Sequence, residues 1–134
     1  SMDVTSYDPK KVNVAVDGAI IAGYASDSMI TATKNEDAVT TEVGCKGDVV
    51  YSENANESGT ITITLQGTSS SLPRLRSLAS SRKQISVTVS DANDSDDISI
   101  TAQKCRVVKM PDVSRGKTSG NVTISIFVPN LQVR

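Results

Sequence analysis

Histidine and tryptophan are absent from the 134-residue sequence, and aromatic residues make up only 3% of it. Without histidine, the chain lacks the usual general base, the usual metal ligand and the usual partner of a serine or cysteine nucleophile. The scarcity of aromatic rings argues against sugar platforms and base-stacking surfaces. We therefore predict that the protein is not an enzyme, and we expect no catalytic, cofactor-binding or metal-binding residues.

Cysteines and long apolar runs are also scarce. Cys45 and Cys105 are too few for a zinc site, and we interpret both as small buried hydrophobic residues rather than as a disulfide or a reactive thiol. No stretch approaches the roughly 18–20 apolar residues of a membrane span, and no secretory signal opens the chain. We expect no membrane association. Ser1-Met2 resembles the two amino acids that remain after a purification tag is cleaved off. The length of the chain predicts a single domain over residues 1–134.

The residues that are abundant indicate a mainly β protein. Valine and isoleucine number 26 against 5 leucines, and β-branched side chains fit a pleated sheet better than a helix. Serine and threonine add 32 residues, which suit the solvated faces of strands. The formal net charge of −1 conceals a charge of −6 on residues 1–66 and of +5 on residues 67–134. The two halves either neutralise each other internally or form complementary faces that bring copies together.

Hydrophobic periodicity places the strands and one helix. Alternating residues predict strands over 12–16, 19–24, 29–34, 38–43, 60–65, 85–89, 98 to about 110, and 121–128, with a hairpin turn at Asp17-Gly18 and a bulge near Cys105. Leu72, Leu75 and Leu78 recur at helical spacing after Ser70-Ser71, which predicts a helix of about ten residues. The pattern predicts a small β-barrel or two-sheet sandwich with one flanking α-helix and a long protruding loop.

Two charged clusters carry alternative interpretations. The acidic run Asp91, Asp94, Asp96 and Asp97 is favoured as a solvated hairpin tip, with a calcium site and an interface contact as alternatives. The basic residues lack interleaved aromatic residues, so they favour protein contacts or solvation over specific nucleic-acid recognition. They are Arg74, Arg76, Arg82, Lys83, Lys104, Arg106, Lys109, Arg115 and Lys117.

The segment from Gly44 to Gly59 interrupts the strand pattern. It is polar apart from a short apolar island, Val49-Val50-Tyr51. Loops longer than about 12–15 residues are uncommon in small domains and are usually functional. The segment is therefore either a flexible arm or one that orders against a neighbour, and the apolar island favours docking.

The same region carries a family resemblance. Residues 43–69 read VGCKGDVVYSENANESGTITITLQGTS and lead into the predicted helix. This order of Val-Gly, a Gly-acid-hydrophobic turn, a polar stretch, Ser-Gly-Thr and alternating threonines resembles the phiTE-type tail tube proteins of contractile-tailed phages. Tyr7-Asp8-Pro9 and the strand that follows are also similar, so the resemblance spans nearly the whole chain. Cys45-Lys46 and Gly67 depart from the family pattern.

The resemblance implies a structural virion protein with the tail tube fold, similar to the haemolysin-coregulated protein of type VI secretion. In such tubes six copies pair their sheet edges in a ring, and rings stack into the conduit for DNA. The implied partners are other copies of the chain, the tail sheath, the tape measure and the baseplate or terminator proteins, and DNA passes without sequence-specific binding. Assembly is expected in the host bacterial cytoplasm, and the phage tail is the expected final location.

The resemblance also assigns the long loop to contacts with a neighbouring subunit or ring. Its glycines are expected to form turns and its apolar island to become buried in the partner. The implied ring-stacking residues are Gly44, Gly47, Asp48, Val49, Val50, Tyr51, Glu53, Glu57 and Gly59. The alternative functions are a tube subunit of a type VI-like system or a tailocin, and a β-rich phage adhesin or receptor-binding domain.

Overall fold

The computed structural model describes residues 4–26, 28–35, 39–43, 49–53, 57–94, 96–108 and 120–133. The predicted mainly β fold with one helix is confirmed. The elements are β1 (Val4–Tyr7), β2 (Val12–Val16), β3 (Ala19–Ile20), β4 (Ile30–Lys34), β5 (Val39–Val43), β6 (Val49–Glu53), β7 (Gly59–Leu65), α1 (Leu72–Ser81), β8 (Ile85–Asp91), β9 (Ile98–Val107) and β10 (Val122–Val128). Cys45 and residues 109–119, which connect the last two predicted strands, lie outside the described residues.

Eight strands form one antiparallel sheet in the order β1-β4-β7-β10-β9-β8-β2-β3. The sheet does not close, so the expected barrel is realised as an open sheet. β9 joins the two halves of this sheet, β1-β4-β7-β10 and β8-β2-β3. It pairs with β8 over most of its length and with β10 only at Arg106 and Val107. Lys104 has a φ of 58° and lies between Ala102 and Cys105, where the register with β8 shifts. The predicted irregularity near Cys105 is therefore confirmed as a β-bulge.

The opening hairpin follows its turn residues. Asp17 and Gly18 both have positive φ, 52° and 82°, as a two-residue type I′ turn between β2 and β3 requires. β3 is shorter than predicted, because pairing with β2 ends at Ile20 and Tyr24 forms only an isolated bridge to Leu65. β1 has only four residues and was not predicted from the periodicity. It pairs with β4 and forms one edge of the sheet.

The buried residues of both sheet halves and of the helix form one core. Alternate positions of β7 and β10 point inwards, including Ile61, Ile63, Ile124 and Ile126, each no more than 1% exposed. Inward residues from β2, β8 and the first part of β9 join the same cluster. Because inward and outward positions alternate strictly in β7 and β10, a one-residue slip of register would expose the inward residues of these strands, so their register is well specified.

The helix covers the core with Leu72, Leu75 and Leu78, as their helical spacing predicts. Its N-cap is Ser71, although the hydroxyl of Ser71 makes no capping bond. Instead it accepts the backbone N–H of Ala22 at 3.0 Å. The Ser69 hydroxyl donates to the carbonyl oxygen of Ala22 at 2.5 Å. These serines therefore fasten the segment after β3 to the start of the helix.

Candidate assembly surfaces

The outward face of β1, β4, β7 and β10 is a nearly continuous hydroxyl surface. The register aligns Ser6 with Thr31, Thr31 with Thr62, and Thr62 with Ser125 across the four strands. Two residues further along β7 and β10, Thr64 lies opposite Thr123, with their hydroxyl oxygens 3.4 Å apart. In the described part of these four strands, no outward position carries a charged side chain. A face of this kind is well hydrated but offers phosphate no cation.

Both edges of the sheet are open within the described chain. β1 pairs only with β4, and β3 pairs only with β2. In the hairpin, the N–H of Ile21 donates to the carbonyl oxygen of Val14 at 2.8 Å, so the N–H of Ile20, one residue earlier, points away from β2. The side chain of Ile20 is 64% exposed. An exposed edge strand presents unpaired donors and acceptors and is a template for pairing with another chain.

The predicted ring-stacking segment contains a strand. Val49, Val50, Tyr51 and Glu53 belong to β6, which pairs with β5 in a separate two-stranded sheet. The register pairs Val43 with Val49 and Val39 with Glu53. Part of the predicted long loop is thus a β-hairpin, which the mixed composition of β6 concealed. Gly44, Gly47 and Asp48 lie outside the described residues.

The base of this hairpin is fixed to the main sheet. The N–H of Asn35 donates to the carbonyl oxygen of Ser58 at 3.0 Å, and the N–H of Leu131 donates to that of Glu57 at 2.9 Å. The Glu57 carboxylate also lies 3.4 Å from the Lys34 ammonium. Glu57 therefore anchors the hairpin base, a role that its position in a polar sequence stretch does not reveal.

Gly59 is not a turn residue, contrary to the expectation from the resemblance. It is the first residue of β7, has no positive φ, and pairs with Lys34 and Val128. A Cβ atom at this position would lie 2.8 Å from the carbonyl oxygen of Thr33 and would overlap the Leu131 side chain. Glycine is required here because the C-terminal segment packs directly against the strand.

Charged side chains collect in the turns and at the helix. Asp17 contacts Arg74 at 3.3 Å and Lys83 at 3.2 Å, which joins an acid of the first half of the chain to bases of the second. This exposed cluster is worth little stability by itself. It shows that part of the charge asymmetry is neutralised within the subunit.

The acidic run forms a hairpin tip, as the favoured interpretation predicts. Asp91 Oδ1 accepts the backbone N–H groups of Asn93 and Asp94 at 2.7 and 3.2 Å, and Asp94 Oδ1 accepts that of Asp96 at 3.1 Å. These carboxylates stabilise the turn between β8 and β9. Among the described residues, no three potential metal-ligating side chains come together.

The buried titratable groups are structural. Burial raises the pKa of the Cys105 thiol to about 11, and the thiol donates to the carbonyl oxygen of Gln103 at 3.7 Å. Burial also raises the pKa of Tyr24 to about 12. The interpretation of Cys105 as a small buried hydrophobic residue is confirmed. A thiol held in its protonated form is a poor nucleophile.

Comparison with known families accounts for this architecture. The family model of the bacteriophage PhiTE tail tube protein matches residues 10–134, which is nearly the whole chain. The chain belongs to the PhiTE tail tube family. No curated protein matches it at a significant level.

Membership of the PhiTE tail tube family makes this a structural component of a phage tail and confirms the predicted resemblance. It implies self-association and contact with other tail components. The only helix in the described part of the chain, α1, has ten residues, and no described helix is long and apolar enough to cross a membrane.

Proposed function

We propose that the protein is the tail tube subunit of a contractile-tailed phage and that it assembles into stacked hexameric rings around a DNA conduit. The observation that carries the proposal is the open eight-stranded sheet in a member of the tail tube family. Its two edge strands, β1 and β3, have no second partner within the described chain. Closing a ring with neighbouring copies satisfies such edges, and a head-to-tail contact whose rotation closes gives a ring.

The hydroxyl face of β1, β4, β7 and β10 is the proposed wall of the conduit. DNA must move along this wall during ejection, and lysine or arginine there would release counterions from DNA and hold it. The aligned hydroxyls of Thr31, Thr62 and Ser125 bind water without this attraction. This assignment also explains why threonine alternates with isoleucine so regularly in β7, with hydroxyls towards the lumen and aliphatic groups towards the core.

The β5–β6 hairpin is the proposed element that reaches a neighbouring subunit or ring. A two-stranded hairpin is marginally stable by itself in water, and this one pairs with no strand of the main sheet within the described residues. Docking against another copy would supply the missing burial. The residues proposed for this contact are Gly44, Gly47, Asp48, Val49, Val50, Tyr51, Glu53 and Glu57, and Gly59 supports the base from within the sheet.

In a complete tail the outer surface of the tube would contact the sheath, the lumen would hold the tape measure protein, and the tube ends would meet baseplate and terminator proteins. These contacts are part of the proposal, as is assembly in the host cytoplasm. DNA is cargo in this scheme and makes no sequence-specific contact.

The test is electron microscopy and light scattering of the purified full chain and of a hairpin variant. Because Asn35 and Ser58 are already hydrogen-bonded, residues 36–56 can be replaced by an Asn-Gly turn without separating the strands that they connect. We expect rings and tubes from the full chain, and a folded subunit without tubes from the variant. Tubes of normal length from the variant would contradict the assignment of the hairpin.

A further inference from the structure

A patch that is both basic and apolar lies where β9 ends beside the C-terminus of the helix. It is lined by six residues, which we call the Arg82–Arg106 patch: Ala79, Arg82, Arg106, Val107, Val108 and Phe127. Val108 is 46% exposed and Phe127 is 38% exposed. Both arginines are exposed, and neither forms an ion pair with another described residue, whereas Arg74 and Lys83 contact Asp17. The patch therefore suits a partner surface that carries carboxylates beside an apolar side chain.

The turn at the other end of β9 has the opposite charge. It contains four carboxylates, which we call the acidic tip: Asp91, Asp94, Asp96 and Asp97. The last three are exposed, and none of the four forms an ion pair with another described residue. Asp91 and Asp94 hold the turn through their Oδ1 atoms, whereas the carboxylates of Asp96 and Asp97 make no hydrogen bond to a described residue. These two are therefore available to a second molecule.

An apolar side chain adjoins the acidic tip. The N–H of Ala92 donates to the carbonyl oxygen of Lys11 at 2.9 Å, which attaches the tip to the connection between β1 and β2. Pro9 of this connection lines a cavity together with Met29, which is 46% exposed. The described charged residues at this end of the subunit are five acids and two lysines: Asp8, Lys10, Lys11 and the four residues of the tip. This end is acidic and partly apolar, as the patch requires of a partner.

The acidic tip and the Arg82–Arg106 patch cannot meet within one subunit. Eight residues of β9 separate Ile98 from Arg106, which at about 3.3 Å per residue is roughly 26 Å along the strand. A second copy displaced along the strand direction brings the tip of one subunit to the patch of the other. Carboxylates then face guanidinium groups, and Met29 lies on the side of Val108 and Phe127.

The direction of this contact differs from that of edge pairing. The edge strands β1 and β3 lie at the sides of the sheet, whereas the tip and the patch lie at the ends of strands. Phe127 of the patch pairs with Thr60, next to Gly59, so the β5–β6 hairpin leaves the subunit at the end that carries the patch. If edges join copies within a ring, contacts at strand ends join one ring to the next.

We propose that the Arg82–Arg106 patch receives the acidic tip of a subunit in the adjacent ring. The inference rests on the proposed function and names a contact that stacks its rings. Bidentate bonds from arginine to carboxylate supply the polar part, and burial of Met29, Val108 and Phe127 supplies the apolar part. The contact is heterologous and does not close on itself along the strand direction, so its repetition extends a tube.

The test is charge reversal at each surface of the full chain, with rings counted by sedimentation and tubes by electron microscopy. Arg82→Glu with Arg106→Glu should leave rings intact and reduce the fraction of rings in tubes by about tenfold or more, because acids would then face acids. Asp96→Lys with Asp97→Lys should cause the same loss, because bases would face bases. All four positions are exposed, so we expect both variants to unfold at nearly the parental temperature.

A mixture of the two variants separates a contact from an effect on folding. Rings of the first variant carry acids at both ends, and rings of the second carry bases at both ends. Mixed in equal amounts, they should stack alternately and restore the fraction in tubes to within about twofold of the parent. Thr101→Glu with Gln103→Glu is the control, since both residues are exposed midway along β9, and it should stack normally.

Arginine modification measures whether the patch is covered. In mass spectra of protein treated with phenylglyoxal, Arg82 and Arg106 should react at least about tenfold more slowly in tubes than in separated rings. Equal reactivity in both states would overturn the inference, because the patch would then be open to another tail protein.

The remaining outcomes distinguish the inference from the proposed function. Normal tubes from either reversed variant, or a mixture that does not stack, would overturn this contact and leave the tube function standing. Loss of the rings themselves in the reversed variants would place the two surfaces within a ring and would also overturn it. A parent chain that forms neither rings nor tubes under any condition would contradict the proposed function and the inference together.

Discussion

At the scale of single residues, several positions have roles set by space rather than by chemistry. Close neighbours determine two of them: the Thr33 carbonyl group and Leu131 require glycine at position 59, and the surrounding core requires a small side chain at Cys105. Neither of them is recognisable as such in the sequence, because the neighbour in each case comes from a distant part of the chain. The turn at Asp17 and Gly18 could be predicted from the sequence, because these two residues act through their own backbone conformation.

Gly59→Ala should destabilise the subunit by about 1–3 kcal/mol, because the added methyl group overlaps Leu131 and the Thr33 carbonyl oxygen in a buried site. Gly120→Ala is the matched control, since a Cβ there meets no atom within 4 Å. It should change the free energy of unfolding by no more than about 0.5 kcal/mol. Urea denaturation of both variants checks the prediction, and equal midpoints for Gly59→Ala and the parent would refute it.

The buried thiol predicts an alkaline loss of stability. The folded pKa of Cys105 is raised to about 11, so the folded state retains a proton that the unfolded state releases near its ordinary, lower pKa. The stabilisation is fully present below about pH 8.5 and is lost as the pH rises towards 11, at a slope on the order of 1 kcal/mol per pH unit. Cys105→Ala should flatten this slope between pH 9 and 10.5 in denaturation experiments. An identical slope in both proteins would show that Cys105 does not contribute.

At the scale of elements, hydrophobic periodicity predicted those helices, turns and strand faces that depend mainly on residues adjacent in the sequence. The helix, the Asp17-Gly18 hairpin and the inward faces of β7, β8 and β10 agree with the structure because each is encoded by neighbouring residues. β1 and β6 were missed because their residues are mixed and their pairing depends on partners, β4 and β5, contributed by other segments. The sequence also could not predict whether the sheet closes into a barrel, because closure depends on which edge strands pair with each other.

The β3 edge offers a test of edge pairing that spares the fold. The N–H of Ile20 points away from β2, so Ile20→Pro removes an outward donor without breaking a bond of the hairpin. We expect the monomer to unfold at nearly the parental temperature and ring formation to fall by about tenfold. Ile20→Thr, which keeps the N–H, should assemble like the parent if the backbone donor matters. Sedimentation of both variants measures the fraction of protein in rings. Unchanged assembly of Ile20→Pro would show that β3 does not take part in the ring contact.

At the scale of the whole molecule, the two halves of the sequence carry opposite net charge, while the described outward face of β1, β4, β7 and β10 carries no charged side chain. The Asp17 cluster neutralises part of the asymmetry internally, whereas Arg82 and Arg106 form no ion pair with another described residue. The family and the mainly β class followed from sequence patterns that extend over the chain. The placement of these charges did not, because it depends on the order of strands in the sheet.

Assembly should therefore weaken as salt rises. Exposed charges interact over a Debye length of about 10 Å at 0.1 M ionic strength and about 3 Å at 1 M, so screening weakens any contact between copies that pairs the two oppositely charged halves of the chain. We expect the critical concentration for tube formation to increase several-fold between 50 mM and 500 mM NaCl, as measured by light scattering. Sodium sulfate at matched ionic strength separates the two forces, since it strengthens apolar burial while screening charge. A critical concentration that is independent of NaCl and falls in sulfate would mean that apolar burial dominates the contact between copies and that charge contributes little.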